Sequence, residues 1–179
     1  KQNYPMAEKY LSYFSDHDPM KKVNRGRLYK EQGKIEEAYE MFEDVLFSEY
    51  STLNLAFSMM TGLALEEEDT VYAKFLAEKN GSLSAVFDMG KYHEYASMLN
   101  IVCAQKDVEG TYQVVEQLLE SVDSLYDFSR SKLYRRKKYK DTDGSYLQVI
   151  KEKLLEGFRN EEDLSFMKGY EPWEKLISK

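Results

Sequence analysis

Residues 26–42 read GRLYKEQGKIEEAYEMF. Gly26 is followed three positions on by Tyr29. Gly33 then stands where a chain would turn, and Ala38 and Phe42 fall four apart beyond it. Residues four apart share one face of a helix. A small residue on one helix lets a large one on its neighbour come close. The stretch therefore predicts an antiparallel helix pair that turns at Gly33. Upstream, Asp18 before Pro19 predicts an N-cap followed by proline in the first turn.

Composition agrees with a helical chain. The 179 residues are 42% hydrophobic and 32% charged, with only 9 Gly and 3 Pro, too few turn formers for an all-β fold. A net charge of −7 repels nucleic acid in general. The single cysteine, Cys103, cannot form an internal disulfide, which suits a reducing compartment, and a cytoplasmic location is expected. No apolar run is long enough to cross a membrane as a helix, and no signal-peptide pattern is read in the given sequence.

The small-then-large order of Ala38, Phe42, Val45 and Leu46 returns further along the chain. It recurs at Ala73 and Ala77, at Thr111, Val115, Leu118 and Leu119, and upstream at Ala7, Leu11 and Phe14. The intervals are close to the ~34 residues of a tetratricopeptide (TPR) repeat. Residues 19–50 resemble one TPR unit, with Gly26, Tyr29, Gly33, Ala38 and Phe42 in the family's order and Tyr50 at its closing proline position. The expected fold is all-α: a TPR-like superhelical array of antiparallel helix pairs, an α–α solenoid with irregular terminal helices. It would form a single domain over 1–179, with a partial unit at 1–18, units at 19–50, 51–82 and 90–127, and a degenerate cap at 145–179. Helices are expected at 4–14, 19–32, 35–48, 51–67, 70–80, 91–106, 108–127, 145–158, 161–168 and 171–177, with Ser51 and Asp69 as further N-caps. Breaks are expected at Asn80-Gly81-Ser82 and at Asp141-Thr142-Asp143-Gly144.

Motifs for catalysis are missing. The two histidines, His17 and His93, lack zinc-ligand companions, and no P-loop, G-x-S-x-G or G-x-G-x-x-G occurs. Cys103 sits on an apolar helix face and reads as a small buried hydrophobe. The acidic runs at 66–69 and 161–163 lack the spacing of a calcium loop and read as helix ends and starts. No enzyme activity, metal or cofactor is expected.

The run RSKLYRRKKYK, residues 130–140, concentrates positive charge in an acidic chain and interleaves Tyr134 and Tyr139. Arg130, Lys132, Arg135, Arg136, Lys137 and Lys138 are its candidate contacts with an anionic partner. Three readings stay open: a loop whose charges offset nearby acidic faces, a contact to a nucleic-acid backbone or a DNA-bound domain, and a contact to an acidic protein surface.

In TPR arrays the first helices of successive units line a concave groove that binds extended peptides. The resemblance places Asn24, Arg27, Met59, Gly62, His93, Ser97 and Asn100 at such inward positions. Asn amides can pair with a peptide backbone, and Arg27 with a ligand carboxylate. Val23 and Arg27 replace the Lys and Asn of the carboxylate clamp, so chaperone tails are not the expected ligand.

Three longer stretches are similar to the C-terminal TPR-like region of bacterial helix-turn-helix regulators of the XRE type, as found in low-GC Gram-positive bacteria. They are YLSYFSDHDP, DMGKYHEYASMLNIVCAQKD and the run from Ser131 to Leu176. This resemblance implies a DNA-binding domain before Lys1 and a regulatory region that binds a protein or peptide effector or pairs with a second copy of itself. DNA would then be reached only through that preceding domain. The expected function is a non-enzymatic effector-binding and oligomerisation module; the alternative is a TPR-like adaptor with no transcriptional role.

Overall fold

The computed structural model describes residues 3–16, 18–139 and 144–178. His17 and the turn residues Asp141, Thr142 and Asp143 lie outside the described residues. The protein is all-α, 79% helical, with no strand among the described residues. The helices are α1 (Tyr4–Leu11), α2 (Pro19–Glu31), α3 (Ile35–Glu66), α4 (Thr70–Val86), α5 (Lys91–Ala96), α6 (Leu99–Ala104), α7 (Val108–Glu120), α8 (Gly144–Asn160) and α9 (Glu171–Ile177). Short 3-10 turns occupy Val122–Ser124, Asp127–Arg130, Lys132–Tyr134 and Glu162–Met167.

The chain divides into two compact units. Unit 1 comprises Lys1–Leu53 and Ser129–Tyr139; unit 2 comprises Asn54–Phe128 and Lys140–Lys179. In unit 1 the stretch 26–42 forms the expected helix pair. Gly33 adopts φ +76°, and the backbone N–H of Lys34 reaches back to the Tyr29 carbonyl at 2.9 Å, closing α2. A Cβ on Gly26 would stand 2.8 Å from the Phe42 ring, so the small residue does receive the large one. Asp18 caps α2 through the Met20 N–H at 2.8 Å, with Pro19 in the first turn.

Unit 2 has two apolar cores. One joins Val115, Leu118 and Leu119 of α7 to Leu155 and Phe158 of α8, Met167, and Trp173 and Leu176 of α9. The other joins Ala64 of α3 to Ala73, Leu76 and Ala77 of α4 and Ile101 of α6. Asp69 and Asp107 cap α4 and α7.

Several helix boundaries differ from expectation. Helix α1 stops at Leu11 rather than 14, and the buried Lys21 ammonium takes the Phe14 carbonyl at 2.9 Å. Ser51 is not an N-cap. Its hydroxyl donates to the Phe47 carbonyl and that of Thr52 to Ser48, so α3 runs straight through the boundary expected at 50/51. The break at Asn80-Gly81-Ser82 is absent as well. Buried Asn80 accepts from the Asn54 amide at 3.1 Å, and a Cβ on Gly81 would lie 2.9 Å from the Glu94 carbonyl, so α4 packs there instead of turning. The helix expected over 91–106 is interrupted between α5 and α6, where Ser97 donates to the Glu94 carbonyl. Helix α7 ends at Glu120, short of 127, and residues 162–167 form a 3-10 turn.

Candidate functional site

Within unit 1, the first half of α3 presents Glu36, Tyr39, Glu40, Glu43, Asp44 and Phe47, residues three and four apart that share one broad face. The segment Ser129–Tyr139 lies on that face. Arg136 forks onto Glu36 at 2.5 and 3.2 Å and stacks over Tyr39, its guanidinium carbon 3.7 Å from the ring centre. Glu43, only 4% exposed, accepts the backbone N–H groups of Arg136 and Lys137 at 2.8 and 3.0 Å. Lys137 pairs with Asp44 and sits over the Phe47 ring. Tyr134, 1% exposed, meets Phe47 edge-on.

Electrostatics follow from these contacts. The hydrogen bond from Arg136 holds the Glu36 carboxyl below its usual value and raises the guanidinium's own. Burial, followed by nearby Tyr134, Glu43 and Asp44, pushes the Tyr139 hydroxyl up to about 12. Two of the six basic candidates, Arg136 and Lys137, are thus engaged inside unit 1. Arg130, Lys132, Arg135 and Lys138 remain exposed. A cleft of ≈ 240 Å³ opens between Glu40, Asp44 and the Arg136–Lys138 run.

The groove candidates are divided between the units. In unit 1, Asn24 is half-buried on α2 and Arg27 is exposed. In unit 2, Met59 and Asn100 are exposed and Gly62 is half-buried. His93 is half-buried with Nε2 3.1 Å from the Leu125 carbonyl, and burial lowers its pKa. Ser97 serves the α5 terminus as described above. His93 and Ser97 therefore have partners within unit 2.

A second cleft in unit 2, ≈ 350 Å³, is lined by Tyr112, Glu116, Glu171, Pro172, Lys175 and Leu176. Tyr112 donates to Glu116 at 2.5 Å, and this bond foremost raises its hydroxyl to about 12. Tyr170, edge-on to Tyr112, donates to Glu109 at 2.5 Å. Both phenols are protonated hydrogen-bond donors at neutral pH. Burial pushes the Cys103 thiol up, which disfavours the nucleophilic thiolate.

No protein-family model, characterised protein or solved structure matches the chain. Among the described residues no cluster of three or more His, Cys, Asp or Glu is arranged to hold a metal, and no helix is long and apolar enough to cross a membrane.

Two features escape a reading of the sequence by motif. The carboxylate partners of the basic run lie some ninety residues upstream of it, and no local pattern points to them. The second was legible in principle. From Tyr50 through Leu65 the chain carries no Asp, Glu, Lys or Arg, in a protein that is 32% charged.

Proposed function

We propose that this chain is a non-enzymatic regulatory module, built on TPR-like helix pairs, that binds a protein or peptide effector. The observation that carries the reading is the α2–α3 pair, where Gly26 receives Phe42 and Gly33 makes the turn. Those residues make the close helical hairpin on which TPR-type recognition surfaces are built. The exposed Arg27 guanidinium beside half-buried Asn24 gives unit 1 a carboxylate- and amide-reading pair on α2. Asn100 and Met59 are the corresponding exposed candidates of unit 2. In this reading the effector acts by favouring one of two states of the module, which requires a different affinity for each. The wider resemblance to XRE-type regulators supports a role in transcription exerted through a preceding DNA-binding domain.

The test is a titration of the protein with a pool of short peptides, followed by Arg27→Ala and Asn100→Ala. Loss of about tenfold or more in affinity is expected from at least one variant, the size of a charge-assisted hydrogen bond. Unchanged affinity for every bound peptide in both variants would discard the groove assignment. Reading the gene upstream of Lys1 tests the transcriptional role: a helix-turn-helix domain there is the expected result.

A further inference from the structure

A cleft of ≈ 310 Å³ lies within unit 1, where Glu8 and Leu11 of α1 meet Arg25, Leu28 and Tyr29 of α2. Leu11 and Leu28 are both buried and give it an apolar side. Arg25, Leu28 and Tyr29 fall three and four apart, on one face of α2. The helix pair is tied down at both ends. The Tyr4 hydroxyl donates to the Glu31 carbonyl at 2.7 Å, and the Lys21 ammonium to the Phe14 carbonyl at 2.9 Å. The cleft is therefore held by two fixed helices rather than by a loop.

Its charges are unmet. The Arg25 guanidinium is half-buried, yet among the described residues it has no hydrogen-bond or ion-pair partner. Arg136, by contrast, forks onto Glu36, and Arg159 donates to the Ile177 carbonyl. Glu8 is exposed and takes a long bond from the Gln32 amide, at 3.4 Å. Glu8 and Arg25 line the same cleft without pairing with each other. A guanidinium carries five donors and a carboxylate accepts at two oxygens, so both keep capacity for a ligand. A partner brought to a half-buried charge gains more than it would at a solvated surface.

We propose that this cleft binds a free amino acid with an apolar side chain. Its carboxylate takes the fork of Arg25, its ammonium faces Glu8, and its side chain lies against Leu11, Leu28 and Tyr29. The two charges select this class. A plain anion meets the like charge of Glu8 and a plain amine that of Arg25, whereas a zwitterion answers both. The net −7 of the chain also disfavours free anions. Size selects a small ligand, since ≈ 310 Å³ stands at the lower end of the ~300–1,000 Å³ of small-molecule sites. That is room for a single residue rather than an extended peptide. Arg25 and Arg27 point about 200° apart around α2, so the cleft is separate from the Arg27–Asn24 pair. Amino-acid binding therefore stands or falls independently of the effector reading.

Titration of the full chain with L-leucine, L-isoleucine, L-methionine and L-phenylalanine, followed by amide NMR, tests the site. At least one should bind with a Kd of roughly 0.01–1 mM and shift amide signals of α1 and α2. The N-acetyl derivative of that amino acid, which lacks the ammonium, should bind about tenfold or more weakly. So should its carboxamide, which lacks the carboxylate. Arg25→Gln and Glu8→Gln should each cost about tenfold as well, with helicity by circular dichroism unchanged. Arg27→Ala should bind the amino acid as the wild type does. The proposal is overturned if none of the four shifts a signal of α1 or α2 at about 10 mM. It is equally overturned if the N-acetyl form binds as tightly as the zwitterion, which would make the cleft a plain anion site. Wild-type affinity in both Arg25→Gln and Glu8→Gln, or loss of binding in Arg27→Ala, would likewise place the ligand elsewhere.

Discussion

The two halves of helix α3 meet opposite fates. Along the first half, Glu36, Glu43 and Asp44 are each met by a base or a backbone N–H from residues 136 and 137. Along the second half, the outward face is Leu, Met and Ala, and it stands open. A charged helix face in this chain has found its counter-charges within unit 1, whereas the neutral face is exposed. The difference separates burial already achieved from burial still available.

The largest expected effect breaks the covered half. Tyr134→Ala removes a ring that is 1% exposed and packs on Phe47, and unit 1 should lose about 3–5 kcal/mol in urea denaturation. A loss under about 1 kcal/mol would mean that the segment adds little to unit 1. Next comes Glu43→Ala, which leaves two backbone N–H groups without their acceptor and should destabilise by about 2–3 kcal/mol. Glu43→Gln keeps one acceptor oxygen and should recover part of that loss.

A subtler test sits at Glu36, whose carboxyl Arg136 holds below its ordinary 4.5. A depressed carboxylate stabilises the folded state while ionised. Its contribution is full above 4.5 and fades as pH falls through the lowered folded value. An NMR titration of Glu36 should show a midpoint below 4.5 that rises in Arg136→Gln. The smallest effect belongs to the open half. Leu63→Ser should change the stability of the monomer by no more than about 0.5 kcal/mol in the same denaturation assay, since little packing is lost at an exposed site.

The helical class and the hairpin at 26–42 were legible because their signals are local: a proline in the first turn, an N-cap aspartate, a glycine at a left-handed turn, and small and large residues four apart. The continuity of α3 was not. A serine hydroxyl can cap a new helix or bond back to the carbonyl four residues earlier, and Ser51 does the latter. Asn80-Gly81-Ser82 has the composition of a turn, yet the same small and polar residues serve a close helix contact. For the candidate site, exposure could be expected for Arg27, Met59 and Asn100 from helical periodicity. The hold of the Leu125 carbonyl on His93 could not, because it joins residues 32 apart in sequence.

The segment that covers the first half of α3 also bears on how the protein is made. Residues 129–139 complete unit 1 from far downstream, bonding Glu36 and Glu43 across separations of 100 and 93 residues. On the ribosome, α1, α2 and the start of α3 emerge long before their counter-charges. Unit 1 therefore cannot finish folding until most of unit 2 has been synthesised, and long-range closure of this kind is slow relative to local helix formation. A nascent chain stalled after Leu53 would lack the Arg136 and Lys137 contacts that cover its acidic face.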